Sequence, residues 1–190
     1  MADEELKLQV ALDFTDLHRA LQVAEEAVRG GVDWIEVGTL LIKSEGLNAV
    51  REIKRRFPGY TILADMKTMD TGSMEVEMAA KAGADIVIIL GVADDTTVRE
   101  AVKAARNYGA KIMVDLIGVA DPVTRSIELE KLGVDYICVH VGIDQQMKGI
   151  SPVEILKEAV EAAKIPVAVA GGINSETIVS AVKEGGRIFV

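Results

Sequence analysis

The sequence predicts a (β/α)8 barrel, and three observations predict it. Short apolar runs alternate with amphipathic segments of helical period along the whole chain, which implies a parallel sheet built from βα units. Eight such runs recur at a spacing of roughly 25 residues, which suits a closed barrel better than an open doubly wound sheet. The punctuation repeats as well: "GGVDWIEV", "AGADIVII", "YGAKIMVD", "LGVDYICV" and "GGRIFV" each place a Gly after a helix and then start a strand. Gly is favoured there because the residue that ends a helix often takes positive φ.

In chain order, the run Leu8–Leu12 precedes "LHRALQVAEEAVRG". In that segment Leu17, Ala20, Leu21, Ala24 and Val28 share one face, and Arg19, Glu25 and Glu26 share the other. Trp34–Val37 and Thr61–Ala64 follow, the latter leading into "TGSMEVEMAAKAG", read as a helix. Ile86–Leu90 is followed by the amphipathic "TTVREAVKAARNYG". Ile112–Leu116, Tyr136–Val141, Val167–Ala170 and Arg187–Val190 complete the set. No GxGxxG follows the first strand, which weakens a dinucleotide-binding fold. No linker or composition shift divides the chain, so residues 1–190 read as one domain. It is a compact barrel, since typical ones run to ~250 residues. No eighth helix follows the last run. Either the native chain continues with a Gly-containing loop and a final helix, or the barrel is open at that seam.

The composition is 49% hydrophobic but only 4% aromatic, so Val, Ile, Leu and Ala must fill the interior. That aliphatic bias suits strands covered on both faces. Counts of 21 basic and 30 acidic residues give a net charge of −9. With no basic cluster, nucleic acid and anionic membrane are not expected partners, whereas a small phosphorylated ligand needs only a local positive site. Cys138 is the lone cysteine and sits in an apolar run, so the expectation is a reduced, buried thiol in a cytoplasmic protein. "MADEELK" lacks an apolar h-region, so no signal peptide is expected. No apolar run reaches the roughly 18 residues of a membrane span.

Polar residues fall where a barrel concentrates its chemistry, at the C-terminal ends of the strands. Asp13 ends the first run, Glu36 lies in the second, and Asp65 and Lys67 end the third. Asp115 lies in the fifth run, His140 in the sixth, and Gly171 and Gly172 close the seventh. Side chains alternate along a strand, so Asp65 and Lys67 should face the barrel mouth and Met66 the helices. A pure ion-pair plug is the bland alternative, but such a pair gains little net stability after desolvation. Asp70 lies beyond the strand, either as a cap of the following helix or as a functional acid. Glu36 and Asp65, on neighbouring strands, could hold a hard divalent cation such as Mg²⁺, which takes one or two carboxylates and completes its shell with water and substrate oxygens. Without HxH, HExxH or CxxC a zinc site is not expected. Backbone N–H groups of Gly171 and Gly172, beside the start of a helix, offer a phosphate cradle. His140 is the only His on a strand and is the candidate for proton transfer. His18, on the first helix, is assigned no role, and Asp115 no chemistry.

"LADMKTMD" has the form DxKxxD and closes the third strand. With "LQVALDF", "IEVGTLLIKSEG", "CVHVGIDQQMKG" and "VAVAGGI", it makes the chain, from Leu6 to Val190, resemble the orotidine-5′-monophosphate decarboxylase suprafamily, and within it the formaldehyde-fixing aldolase branch. The resemblance implies a homodimeric barrel. It also implies a Mg²⁺-dependent aldol reaction, with Mn²⁺ as an alternative ion, joining formaldehyde to D-ribulose 5-phosphate through an enediolate. Carried over by position, Asp13 binds substrate, and Glu36 and Asp65 hold the metal. Lys67 stabilises the oxyanion, and Asp70 reaches into the partner's site to orient Lys67 or shuttle protons. His140 transfers protons, and Gly171 and Gly172 form half of the phosphate site. Whether His140 or Asp70 is the base stays open. The nearest alternative is decarboxylation of 3-keto-L-gulonate 6-phosphate, whose enzymes place an Arg where this chain has Ile143. A sugar-phosphate sensor on the same scaffold is the non-enzymatic alternative, against which the full set of charged rim residues argues.

Overall fold

The computed structural model describes residues 5–148 and 151–190, apart from the side chain of Glu154. Gly149, which closes one of the motif segments, and residues 1–4 lie outside them. The chain runs β1 (Lys7–Leu12), α1 (Leu17–Gly30), β2 (Trp34–Val37), α2 (Thr39–Glu45), α3 (Asn48–Arg56), β3 (Thr61–Thr68), α4 (Gly72–Ala82) and β4 (Ile86–Leu90). It continues with α5 (Asp95–Tyr108), β5 (Lys111–Asp115), α6 (Pro122–Leu132), β6 (Tyr136–His140), α7 (Ile143–Gln146), α8 (Pro152–Ala162), β7 (Val167–Ala170), α9 (Ile178–Lys183) and β8 (Ile188–Phe189). All the strands pair in parallel, each with its sequence neighbours, and the sheet closes on itself. An open seam is therefore ruled out: short as it is, β8 pairs Ile188 with Lys7 on one side and with Ala168 on the other. Beside that seam Leu8, on the outer face of β1, is 42% exposed. Among the described residues no helix is long and apolar enough to cross a membrane.

Local chemistry sets the helix limits. Asp16, Asp94, Asp121 and Ser151 cap α1, α5, α6 and α8 by accepting a backbone N–H of the first turn. Pro122 and Pro152 enter α6 and α8 in the first turn, where a missing N–H costs nothing. The glycines of the repeated punctuation end α1, α4, α5 and α6 in the left-handed region, with φ of 91°, 108°, 71° and 89°.

The apolar side chains form two layers. One lies between barrel and helices and contains Ile35, Val37, Ile62, Ala64, Val87, Ile89, Ile112 and Val114. The other fills the barrel and contains Trp34, Leu63, Ile86, Ile88, Met113, Cys138 and Ile188. At the N-terminal ends of β2 and β6, Trp34 and Tyr136 meet edge-to-face at 5.5 Å. Cys138 is buried and unpaired; burial pushes its thiol well above the usual range, which makes it a packing residue. The strand phase that turns these residues inward also turns the next inward positions, one step toward the C-terminal rim, to the site.

Candidate active site

A cleft of about 660 Å³ opens at the C-terminal ends of the strands. Asp13, Glu36, Asp65, Lys67, Asp115, His140 and Gly171 all line it. The polar residues that the sequence places at strand ends thus converge, with Asp70 the exception and with Gly172 adjoining Gly171.

Strand β3 carries the centre. It runs four residues past the predicted end, to Thr68, and its pairing with β4 slips between Asp65 and Thr68. Lys67 sits in the slip with φ of 44°, a left-handed conformation that costs about 1–3 kcal/mol for a residue with a side chain. Lys67 faces inward as alternation from Asp65 predicts; the bulge adds a shift in pairing and the left-handed backbone that the sequence did not reveal. Met66 packs against the outer layer as expected. Lys67 Nζ lies 2.8 Å from Asp65 Oδ2 and 2.8 Å from Asp115 Oδ2. Burial works to lower its pKa, but the two carboxylates outweigh burial and hold the ammonium above its usual range.

Asp115 joins this ion pair to His140. Its Oδ2 also accepts from His140 Nδ1 at 2.8 Å, and its Oδ1 accepts from the Ile117 N–H at 2.8 Å. Burial raises its pKa, yet His140 and Lys67 more than compensate, so the carboxyl lies below the usual carboxylate range. With Nδ1–H given to a carboxylate, the neutral imidazole presents Nε2 as an acceptor. Asp115, to which the sequence alone lent no chemistry, is the hub of the site. Its inward phase, two residues beyond Met113, was the available signal.

Two more residues were missed. Thr39 Oγ1 donates to Asp65 Oδ2 at 2.7 Å. Gln9, in the middle of β1, donates its amide to Glu36 Oε2. A Gln inside the apolar run "LQVAL" was its only mark.

The other half of the cleft is acidic. Glu36 is buried, has no ion-pair partner among the described residues, and lies near Asp65 and Asp13. Burial first, then those two charges, push its carboxyl well above the usual range. Asp13, at the rim, is raised by partial desolvation and then by Asp65. Its carboxylate fits because Gly38 has no side chain: a Cβ there would lie 2.2 Å from Asp13 Oδ1. Asp65 Oδ1 is buried without a hydrogen-bond partner. An excess of buried negative charge with an orphaned carboxylate oxygen fits a cation. Among the described residues no three His, Cys, Asp or Glu side chains form a complete cage, so the donor set suits an ion such as Mg²⁺ that keeps water and substrate oxygens.

The structure revises two expectations. The helix expected beside Gly171 and Gly172 begins only at Ile178, and Asn174 caps the intervening turn by accepting from the Glu176 and Thr177 N–H groups. The cradle is therefore loop backbone. Gly171 is required there: at φ of 101° it packs so that a Cβ would meet Val141 O at 2.2 Å. Asp70 does not cap α4; its carboxylate accepts from Thr71 N at 2.7 Å, one residue before the helix. It is exposed and lines a separate depression of about 220 Å³ with Thr71–Met74, Thr96, Thr97 and Glu100. It is not among the residues that line the cleft.

The strained charge cluster gives a direct expectation for Glu36→Gln without divalent cation. A carboxylate whose folded pKa is raised contributes stability below its unfolded pKa and loses it as pH rises through the folded value. Removing the charge should raise the melting temperature at pH 8 by several degrees, at about 2–4 °C per kcal/mol for a chain this size. The gain should shrink as pH falls toward the ordinary carboxylate range of the unfolded chain, where the wild-type carboxyl is protonated in both states. Thermal melts across pH check this, and a lower melting temperature at pH 8 would contradict it.

The chain belongs to the orotidine 5′-phosphate decarboxylase / HUMPS family, whose sequence pattern matches residues 6–190, and its curated relatives make it an enzyme of the lyase type. Within that family it is similar to the 3-hexulose-6-phosphate synthase of Mycobacterium gastri, with 43% identity over 185 residues, covering 97% of this chain and 89% of that protein. The crystal structure of 3-hexulose-6-phosphate synthase from Salmonella typhimurium superposes with a TM-score of 0.93 at 39% identity, over 97% of this chain and 87% of that one. A 3-keto-L-gulonate-6-phosphate decarboxylase from Vibrio cholerae is more distant, with a TM-score of 0.86 and 29% identity over the same shares.

Proposed function

We propose that this chain is an aldehyde-lyase that joins formaldehyde to C1 of D-ribulose 5-phosphate, giving D-arabino-3-hexulose 6-phosphate, and runs the reverse reaction. The observation that carries the reading is the Asp115 hub, which holds a cation and a proton acceptor side by side over an acidic pocket. The 43% identity to a synthase across nearly the whole chain supports the choice of substrate. Glu36 and Asp65 would hold Mg²⁺ or Mn²⁺, which when bound supplies Lewis-acid polarisation of the sugar carbonyl and acidifies the neighbouring C–H. His140 Nε2 takes a proton from C1, and Asp115 stabilises the imidazolium. Lys67 faces the negative charge that develops on the sugar oxygen. C1 then forms the new bond to the formaldehyde carbon, and the resulting alkoxide recovers the proton from His140. Asp13 positions the sugar hydroxyls, and the Gly171 and Gly172 backbone takes the phosphate.

The test is formaldehyde consumption with ribulose 5-phosphate, with and without Mg²⁺, beside carbon dioxide release from 3-keto-L-gulonate 6-phosphate. Ile143 opens α7 at the cleft rim and is 73% exposed. It cannot donate hydrogen bonds as the decarboxylase Arg does, which leaves the rim apolar and suited to a small neutral electrophile. Wild type should be the better aldolase. Ile143→Arg should shift the ratio of the two rates toward decarboxylation by roughly ten-fold, about 1.4 kcal/mol. A wild type that prefers decarboxylation would overturn the assignment.

The same reading includes a homodimer with shared sites. Asp70 is exposed outside its own cleft and shares its depression with Met74, and Met69, its chain neighbour, and Met78, one turn on along α4, are exposed as well; exposed apolar side chains gathered in this way are what an interface would cover. Mixing inactive Asp70→Ala and Lys67→Ala protomers should restore up to about a quarter of the activity, by random pairing of sites. No recovery in proven heterodimers would rule out sharing.

A further inference from the structure

Gln9 is 3% exposed inside the barrel, yet only half of its amide is used. The NH2 donates to Glu36 Oε2, while Oε1 is buried without a hydrogen-bond partner. An unsatisfied buried polar atom is destabilising, and the neighbouring inward positions are filled by apolar side chains such as Trp34, Leu63 and Met113. Packing therefore does not account for an amide at this place; the group it serves is Glu36. The arrangement is repeated on the other carboxylate. Thr39 Oγ1 donates to Asp65 Oδ2, and Asp65 Oδ1 is left unbonded. Glu36 Oε1 likewise carries no hydrogen bond among the described residues. Each acid thus has one oxygen tied and one oxygen free: Glu36 Oε2 is held by the neutral Gln9 amide alone, and Asp65 Oδ2 by Thr39 together with the Lys67 ammonium.

We propose that Gln9 is a positioning residue for cation binding: its amide fixes the rotamer of Glu36 so that Oε1, not Oε2, is presented to a divalent cation. The proposal rests on the reading of Glu36 and Asp65 as the metal pair. A donor to the ligating carboxylate orients it and restrains its rotation without neutralising its charge. Partners of this kind are worth about 10–100-fold in metal affinity.

Gln9→Met keeps the length and apolar volume while removing both amide groups. Binding of Mn²⁺ alone, followed by the electron paramagnetic resonance of the free ion, is compared in wild type, Gln9→Met and Glu36→Gln, with melts of each protein in chelator. The effect is expected on the metal and not on the fold. Mn²⁺ affinity should fall by about 10-fold or more, while the melting temperature of the metal-free protein changes little, because removal of the orphaned Gln9 carbonyl offsets the loss of the donor to Glu36 Oε2. A merely structural Gln9 would show the reverse, a lower melting temperature with unchanged Mn²⁺ affinity, and that result overturns the proposal. Gln9→Leu is the second variant, and failure of both to fold would also overturn it. If wild type binds Mn²⁺ and Glu36→Gln does not, but the Gln9 variants bind within about two-fold of wild type, this inference alone falls. Wild type that binds no Mn²⁺ would sink the metal pair and this inference together.

Discussion

Lys67→Ala is expected to lose about 10²–10³-fold in kcat, the scale of removing one preorganised group aimed at developing charge, and also to destabilise the fold. The second effect follows from burial. Asp65 and Asp115 side chains are 7% and 3% exposed, and both point an oxygen at the ammonium from 2.8 Å. Taking away one partner of a buried pair leaves uncompensated charge and typically costs about 3–5 kcal/mol. The positive φ at Lys67 offers no relief, because Ala is strained there too. The pH dependence has a definite sign. The depressed pKa of Asp115 contributes stability above the unfolded carboxylate range and loses it as pH falls through the folded value. Lys67→Ala weakens that contribution, so its deficit should be largest at neutral pH and narrow in acid. Urea unfolding at several pH values, beside steady-state kinetics, measures both. Near-wild-type activity would remove Lys67 from the chemistry, whereas a pH-independent deficit would mean that packing, not charge, was lost.

Asp115→Asn should have the next largest effect, a fall of about 10²–10⁴-fold in kcat, the contribution of positioned acid–base catalysis. The change is nearly isosteric, so the fold and the bond from the Ile117 N–H can persist. A neutral amide, however, cannot both anchor Lys67 and stabilise a protonated His140. Its own NH2 group, if turned to the ring, would demand the opposite tautomer and leave Nε2 carrying the proton. The loss should fall on kcat, with the KM for ribulose 5-phosphate moving far less, because the Asp115 carboxylate is committed to Lys67, His140 and the Ile117 N–H and, on the proposed reading, acts through the first two. An unchanged kcat would reduce the Asp115–Lys67–His140 cluster to a polar plug.

Much of this was legible in the sequence. The repeated Gly punctuation marks the ends of α1, α4, α5 and α6 because positive φ at a helix end is a local property of one residue. The strand runs and the inward phase of Glu36, Asp65 and His140 were likewise readable, because strand side chains alternate with period two whatever surrounds them. Tertiary structure alone decided which of those groups touch. Lys67, Asp115 and His140 come from β3, β5 and β6, and their meeting depends on how the closed barrel brings those strand ends together. The Gln9–Glu36 bond depends on the register that sets β1 against β2, with Gln9 opposite Trp34 and Ala11 opposite Glu36. Asp70 stands outside the cleft because the strand ends before it, although three residues along the chain it follows the central lysine. Periodicity assigns a side chain to a face; only closure of the sheet gives that face its neighbours.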